Sequence, residues 1–524
     1  MLPPTVGAVL ARATTFTLLG IDGIRVTVEA DIHTGLPAFT IVGLGDAAVQ
    51  ESRERVRAAL VNSGFEFPLR RITVNLAPAD LRKAGPAFDL ALACALLAAS
   101  GQVHAERLES YAFCGELGLD GSVRRVRGAI ALADAAAAAG CAGIVVPRAS
   151  AREAALVGGL DVVPVGTVAE LAAFLAGDDP PAEERIDPRR WLAADPPRGE
   201  DFAQVRGHRA LKHALEVAAA GGHNVLMMGP PGSGKSMAAR RLPSIMPPLS
   251  IPEALEATRI HSVAGVLGGA PLVQRRPFRA PHHSISAAGL IGGGGPPSPG
   301  EASLAQHGVL FLDELSEFAR PALEALRQPL EEGFVRITRA QRTVCFPARF
   351  LLVAATNPCP CGYKGDPRRE CSCHPAVAAR YRARLSGPLL DRIDMILRVE
   401  QPRSAEVMAE QDPEGSAAIR ARVLAARAVQ EHRLRGSPAA CNAHMSHAEL
   451  RRRAKLEPAA QEALRDAHER AGLTMRGHDR VLRVARTLAD LDGSGRVGRR
   501  HIAQAVAYRE PPRVDDAAVA GIPA

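Results

Sequence analysis

Gly229, Pro230, Pro231, Gly232, Ser233, Gly234, Lys235 and Ser236 follow an apolar run, 224–228, and lead into the helix-forming string MAARRL. Glycines at 229, 232 and 234 let successive backbone N–H groups converge on phosphate oxygens where a Cβ would clash. The N-terminus of the following helix adds a favourable dipole. In this order of strand, loop and helix, Lys235 can reach the β- and γ-phosphates of a nucleotide and Ser236 can ligate Mg2+. A second apolar strand, Val309–Leu312, ends in Asp313 and Glu314, one to hold the metal's hydration shell and one to polarise an attacking water as general base. A third, 350–354, runs toward Asn357, which could bridge that water and the γ-phosphate; an Asx turn before Pro358 is the alternative.

These groups can act together only on adjacent strands, so an α/β fold is expected. Residues 1–176 read as a first α/β domain. Within it Ile24, Val26, Val28, Ala30 and Ile32 alternate as one strand face, and 46–63 and 87–100 are helical. Residues 177–199 are rich in Pro, Asp and Arg without apolar period, which predicts an interdomain linker. Residues 200–400 carry the phosphate-binding chemistry. Residues 401–510 read as helical and arginine-rich, and 511–524 as a disordered tail.

Bulk properties narrow the setting. The chain has 524 residues, 47% apolar and 23% charged, as a soluble multidomain protein would. Uncharged apolar runs such as 90–100 fall short of the ~18–20 residues that cross a bilayer. The N-terminus lacks the charged start, apolar stretch and cleavage site of a signal peptide. The expectation is a cytoplasmic protein with no membrane partner. A net charge of +8 suits a polyanion, although a basic proteome background accounts for it equally well. At 4% aromatic residues, base stacking is disfavoured, so nucleic acid would be held by its backbone.

Nine cysteines without a secretion signal argue against a disulfide scaffold. Cys359, Cys361, Cys371 and Cys373 form a C-x-C-x9-C-x-C pattern, a complete tetrahedral set for structural Zn2+. His374 could replace one sulfur, and unligated loop cysteines are the alternative. The pair His282 and His283 reads as packing, because adjacent residues rarely share one ligand geometry.

In this order the three phosphate-site elements resemble AAA+ ATPases. The run 276–284 (RPFRAPHHS), the following GLIGGGGPPSPGEASLAQHGVLFLDE and 387–394 (GPLLDRID) narrow the match to the magnesium-chelatase-like branch. Over about residues 16–510 the chain is similar to the ComM/YifB family, in which a Lon-protease-like domain is fused to an AAA+ core with a helical lid. The resemblance implies a hexamer with ATP at subunit interfaces, Mg2+ held through Ser236 and Asp313, and branch-migration helicase or translocase activity on DNA in natural transformation or recombination. It makes Arg392 an arginine finger acting on the neighbouring subunit's ATP; a salt bridge to Asp391 or Asp394 is the alternative. It makes Arg476 the sensor-2 arginine, a job Arg480 or Arg483 could also do. Two insertions would face the ring pore: the glycine-rich 289–300, expected to be mobile, and 333–349, where Arg336, Arg339 and Arg342 surround a hairpin turn and could track a DNA backbone. A solvated charged hairpin is the alternative.

Residues 75–90 and 115–123 resemble the Lon proteolytic domain, which uses a Ser–Lys pair. Ala87 stands at the nucleophile's position and Ile130 at the lysine's, so an inactive protease fold is expected. Three other functions compete. A chelatase-like motor remodelling a protein partner would need an integrin-like partner domain with a D-x-S-x-S motif, and the nearest string, 492–496, lacks the second serine. An ATP-dependent protease is disfavoured by Ala87. A switch using ATP only for assembly is the third.

Overall fold

The computed structural model describes residues 10–178, 186–193, 199–295, 297–339, 342–366, 368–385, 387–402, 408, 413–471 and 473–509. The expected tail at 511–524 lies outside them.

The first domain is built on a seven-stranded mixed sheet, ordered Ala38–Val42, Arg71–Ala77, Asp22–His33, Ala11–Leu19, Tyr111–Phe113, Gly143–Pro147 and Asp161–Val165. Ala11–Leu19 and Asp22–His33 form an antiparallel hairpin, and Asp22–His33 pairs antiparallel with Arg71–Ala77. The period-two face is real: Val26, Val28, Ala30 and Ile32 are buried. Successive side chains point to opposite faces. Val145 accordingly packs with the helix Asp89–Ala99, whose every residue is buried, while Ile144 and Val146 pack on the other face with the helix Ala129–Ala138. The helix expected at 46–63 is Ala47–Asn62, and Asp46 caps it by accepting from Val49 N.

The second sheet is parallel throughout, ordered Phe278–Arg279, Val309–Leu312, Leu351–Thr356, Val225–Met228 and Met395–Arg398. Its central strands are buried on both faces, which explains their continuous apolar sequences. One face packs against Arg209–Gly221, Lys235–Arg241 and the C-terminal helices Ser416–Leu434, Met475–Leu491 and Arg499–Ala507. The helical C-terminal region therefore shares a core with this sheet.

Two expectations change. The 177–199 stretch is not wholly a plain linker: Pro188–Ala193 is a short helix, and Trp191 and Leu192 pack against Ile130, Leu156, Leu249, Ala254 and Leu272. Ile186, Trp191 and Leu192 are too few in a polar stretch to show a period, but enough to anchor it. Among its described residues, which leave out Pro296, the glycine-rich 289–300 segment forms regular elements. The helix Ala287–Ile291, capped by Ser286, runs into it, and Gly292–Gly293 pairs with Ser298–Pro299. Gly300 serves close approach, since a Cβ on it would lie 2.3 Å from Gly292 N.

Candidate nucleotide-binding site

Asn224 fixes the strands that carry the site. Its Oδ1 accepts from Leu352 N at 2.9 Å, its backbone N donates to Asp394 Oδ2 at 3.0 Å, and its Nδ2 donates to Arg392 O at 3.3 Å. Asn224 thus ties the start of Val225–Met228 to the strand Leu351–Thr356 on one side and to the segment leading into Met395–Arg398 on the other. Beyond that strand the loop 229–234 needs its glycines: Gly232 and Gly234 have φ of +74° and +78°, and a Cβ on Gly229 would lie 2.0 Å from Val399 O.

Lys235 is 8% exposed and its Nζ donates to Gly229 O at 2.7 Å, Pro230 O at 2.8 Å and Ser233 Oγ at 3.3 Å. Burial pulls its pKa below the ordinary lysine value, with Asp313 opposing that shift. Ser236 Oγ donates to Asp313 Oδ2 at 2.6 Å. The glycine-rich loop and the paired carboxylates, 77 residues apart in sequence, are therefore one site. Two hard oxygen donors side by side suit Mg2+, and the buried lysine suits a phosphate that would replace the loop carbonyls around it.

Glu314 follows with a backbone in the left-handed region, φ 53° and ψ 47°. That conformation is uncommon for a residue with a side chain and concentrates at functional positions. Its Oε2 lies 3.3 Å from His283 Nδ1, and the His283 ring packs 4.0 Å from that of His282. The pair, expected only to pack, also brings one ring to the second acid; the two partners follow different strands, so no sequence spacing reveals the contact. Ser316 Oγ and Thr356 Oγ1, 2.8 Å apart, join the turn after Glu314 to the third strand, and Thr356 O accepts from Gly229 N at 3.2 Å. Asn357 is half-buried directly after that strand, beside the loop.

The arginines are placed differently. Arg392 is 11% exposed, bonds Glu331 and donates to Pro388 O at 2.6 Å, so its ion-pair partner is Glu331 and not Asp391 or Asp394. Asp394 is buried and takes Arg480 at 2.6 Å. Arg483 donates to Met445 O at 3.0 Å, whereas Arg476 is exposed on the first turn of Met475–Leu491. Arg336 is exposed on the hairpin Phe334–Arg339 with Arg342–Pro347. The hairpin tip, 340–341, lies outside the described residues.

The four cysteines converge. Cys359, Cys361, Cys371 and Cys373 sulfurs all lie within 4.8 Å of one another, with Cys359–Cys361 at 3.4 Å and both Cys359–Cys371 and Cys361–Cys371 at 3.6 Å. Sulfurs ~2.3 Å from one tetrahedral Zn2+ stand about 3.8 Å apart, so the set fits. His374 Nδ1 instead accepts from Ala376 N and caps Pro375–Arg382. The loop packs on the nucleotide loop, for a Cβ on Gly362 would meet Pro231 Cδ at 2.5 Å.

Ala87 packs with the apolar cluster that includes Phe16 and Leu132, and Ile130 lies in another with Leu156 and Leu249.

Comparisons with known proteins show the family. The family model described as magnesium chelatase, subunit ChlI, matches residues 201–407; that of the subunit ChlI C-terminal region matches 413–509; and one described as subunit ChlI of Mg-chelatase matches 28–150. The parallel sheet with its glycine-rich loop is thus the AAA+ domain of a magnesium-chelatase-like protein. An uncharacterised protein of Mycobacterium tuberculosis is 46% identical, covering 96% of this chain and 99% of its own length. YifB of Escherichia coli, also uncharacterised, is 43% identical over 95% of this chain and 96% of its own. Competence protein ComM of Haemophilus influenzae is 41% identical over 95% and 96%. The chain belongs to the ComM/YifB family.

Proposed function

We propose that this protein is an ATP-hydrolysing hexameric motor that moves or remodels DNA, a branch-migration helicase or translocase of the ComM type. The observation that carries the reading is the 2.6 Å contact of Ser236 with Asp313 beside buried Lys235, with Glu314 next in sequence. Lys235 holds the β- and γ-phosphates, and Ser236 and Asp313 hold Mg2+. The metal, when bound, offsets phosphate charge. Glu314 takes the proton of the attacking water, and Asn357 orients that water. Arg392 leaves Glu331 to complete the site of the adjacent subunit, and Arg476, exposed at the lid helix, senses nucleotide. The net charge of +8, exposed Arg336 and a relative named for competence support DNA as the partner, gripped through its backbone by Arg336, Arg339 and Arg342.

Cys359, Cys361, Cys371 and Cys373 hold a structural Zn2+ that stiffens the loop behind Pro231. Elemental analysis of the purified chain should find about one zinc per protomer, and Cys371→Ser should lower that figure.

The test of the motor is ATP turnover with and without forked or four-way DNA. Stimulation by DNA is expected. Turnover that ignores every DNA would move the assignment to a chelatase-like remodeller of a protein partner or to an assembly switch.

A further inference from the structure

The first domain lacks the Ser–Lys pair of the protease it resembles, yet it makes a specific contact with the second. Ile21 sits in the turn between Ala11–Leu19 and Asp22–His33 and is only 8% exposed. It is covered by Val344 and Phe346 of the arginine hairpin, together with Ile260 and Leu304, and Leu19, Ala264 and Ile337 rim the cluster. The approach is close: a Cβ on Gly20 would lie 2.5 Å from Val344 Cγ1.

The hairpin needs such a partner. Its register pairs Val335 with Phe346, Ile337 with Val344, Arg336 with Cys345 and Thr338 with Thr343. One face is therefore apolar, while Arg336, Thr338, Thr343 and Cys345 are exposed on the other. An isolated two-stranded ribbon is marginal in water until one face is packed.

A second contact holds the same seam. The helix Ile251–Ala264, which supplies Ile260, is bound to the first domain at Arg259, 2.7 Å from Asp134 and 3.8 Å from Asp22. It is also bound at Ser262, whose hydroxyl donates to Glu153. Glu153 is 4% exposed and also accepts from Ile130 N at 2.9 Å. At the hairpin's far end, Arg349 N donates to Gln306 Oε1 at 2.6 Å, and Arg349 O accepts from His307 N at 2.7 Å. His307 lies two residues before the strand Val309–Leu312 that ends at Asp313 and Glu314.

We propose that the function of the N-terminal domain is to brace the arginine hairpin, its Gly20–Ile21 turn seating the ribbon's apolar face so that the arginine face is presented from a fixed base. Only the ligand of that face depends on the DNA reading above.

Hydrogen exchange on the full-length chain tests the brace without DNA. Ile21→Asp should raise amide exchange across 334–347 by roughly tenfold or more, and leave 209–221 unchanged. Basal ATP turnover should stay at the wild-type level while the DNA-stimulated part is lost. If Ile21→Asp also deprotects 11–33, the first domain itself has opened. Ile21→Ala and Val344→Ala, singly and together, then decide: a combined effect on hairpin exchange smaller than the product of the single effects supports the brace, and independent effects overturn it. Unchanged hairpin exchange in Ile21→Asp with an intact first domain overturns it outright. Should wild-type turnover ignore DNA, the DNA reading falls, and exchange still judges the brace.

Discussion

Glu314 holds its carboxylate out from a left-handed backbone, with the His283 imidazole 3.3 Å away and Asp313 alongside. If Glu314 is the general base, Glu314→Gln keeps the shape, removes the proton acceptor and should lower turnover by about 10²–10⁴-fold. Nucleotide affinity should be nearly unchanged, measured by titration with a fluorescent ATP analogue. A matching fall in affinity would assign Glu314 to binding. The His283 contact is weaker in kind. Its side chain and that of Glu314 are 34% and 55% exposed, and ion pairs this open contribute roughly 0–1 kcal/mol. His283→Ala should therefore change turnover by no more than about fivefold. A larger loss would mean that the ring touches substrate.

At the scale of elements, the site depends on strands being held in register. The Asn224 side chain bonds Arg392 O and Leu352 N on either side of its strand, so Asn224→Ala should cost about 1–3 kcal/mol, read as a lowered unfolding midpoint. His223, one residue earlier, is buried and hydrogen-bonded to Thr487 Oγ1 at 2.7 Å. Burial pushes its pKa from the ordinary 6.5 down to about 4, against the pull of Asp394. The folded core thus favours the neutral ring. Its stability is whole above pH 6.5 and declines as pH falls from there toward 4, by up to roughly 3 kcal/mol. In His223→Gln that acid-side decline should be shallower by comparison of midpoints at pH 7.5 and 5; parallel declines would exclude the ring as the cause.

Much at this scale was legible in the sequence. Strand alternation and the loop glycines are local signals, so the strand face of Val26, Val28, Ala30 and Ile32 and the strand Val309–Leu312 fall where the sequence places them. The two-residue strand Phe278–Arg279 carries no period at all, and Ala11–Leu19 mixes Thr among its apolar residues, so both escaped notice. The partners of His283, Arg392 and Arg480 were illegible for another reason: each ion pair joins residues far apart in sequence, which no spacing reveals.

At the scale of the whole molecule, among the described residues no helix is long and apolar enough to cross a membrane, and the full chain carries a net charge of +8. If the hairpin tracks phosphates, Arg336→Ala should weaken binding alike for all DNA sequences and reduce the slope of log K against log salt by about 1. An unchanged slope would remove Arg336 from the contact. The connecting helix Pro188–Ala193 carries a further consequence. Trp191 is the only tryptophan in the chain, and it is wedged among Ile130 and Leu156 of one domain and Leu249, Ala254 and Leu272 of the other. Its indole is therefore a built-in optical gauge of whether the two halves are closed on each other, and a red shift in ultraviolet emission would report their parting before either half unravels.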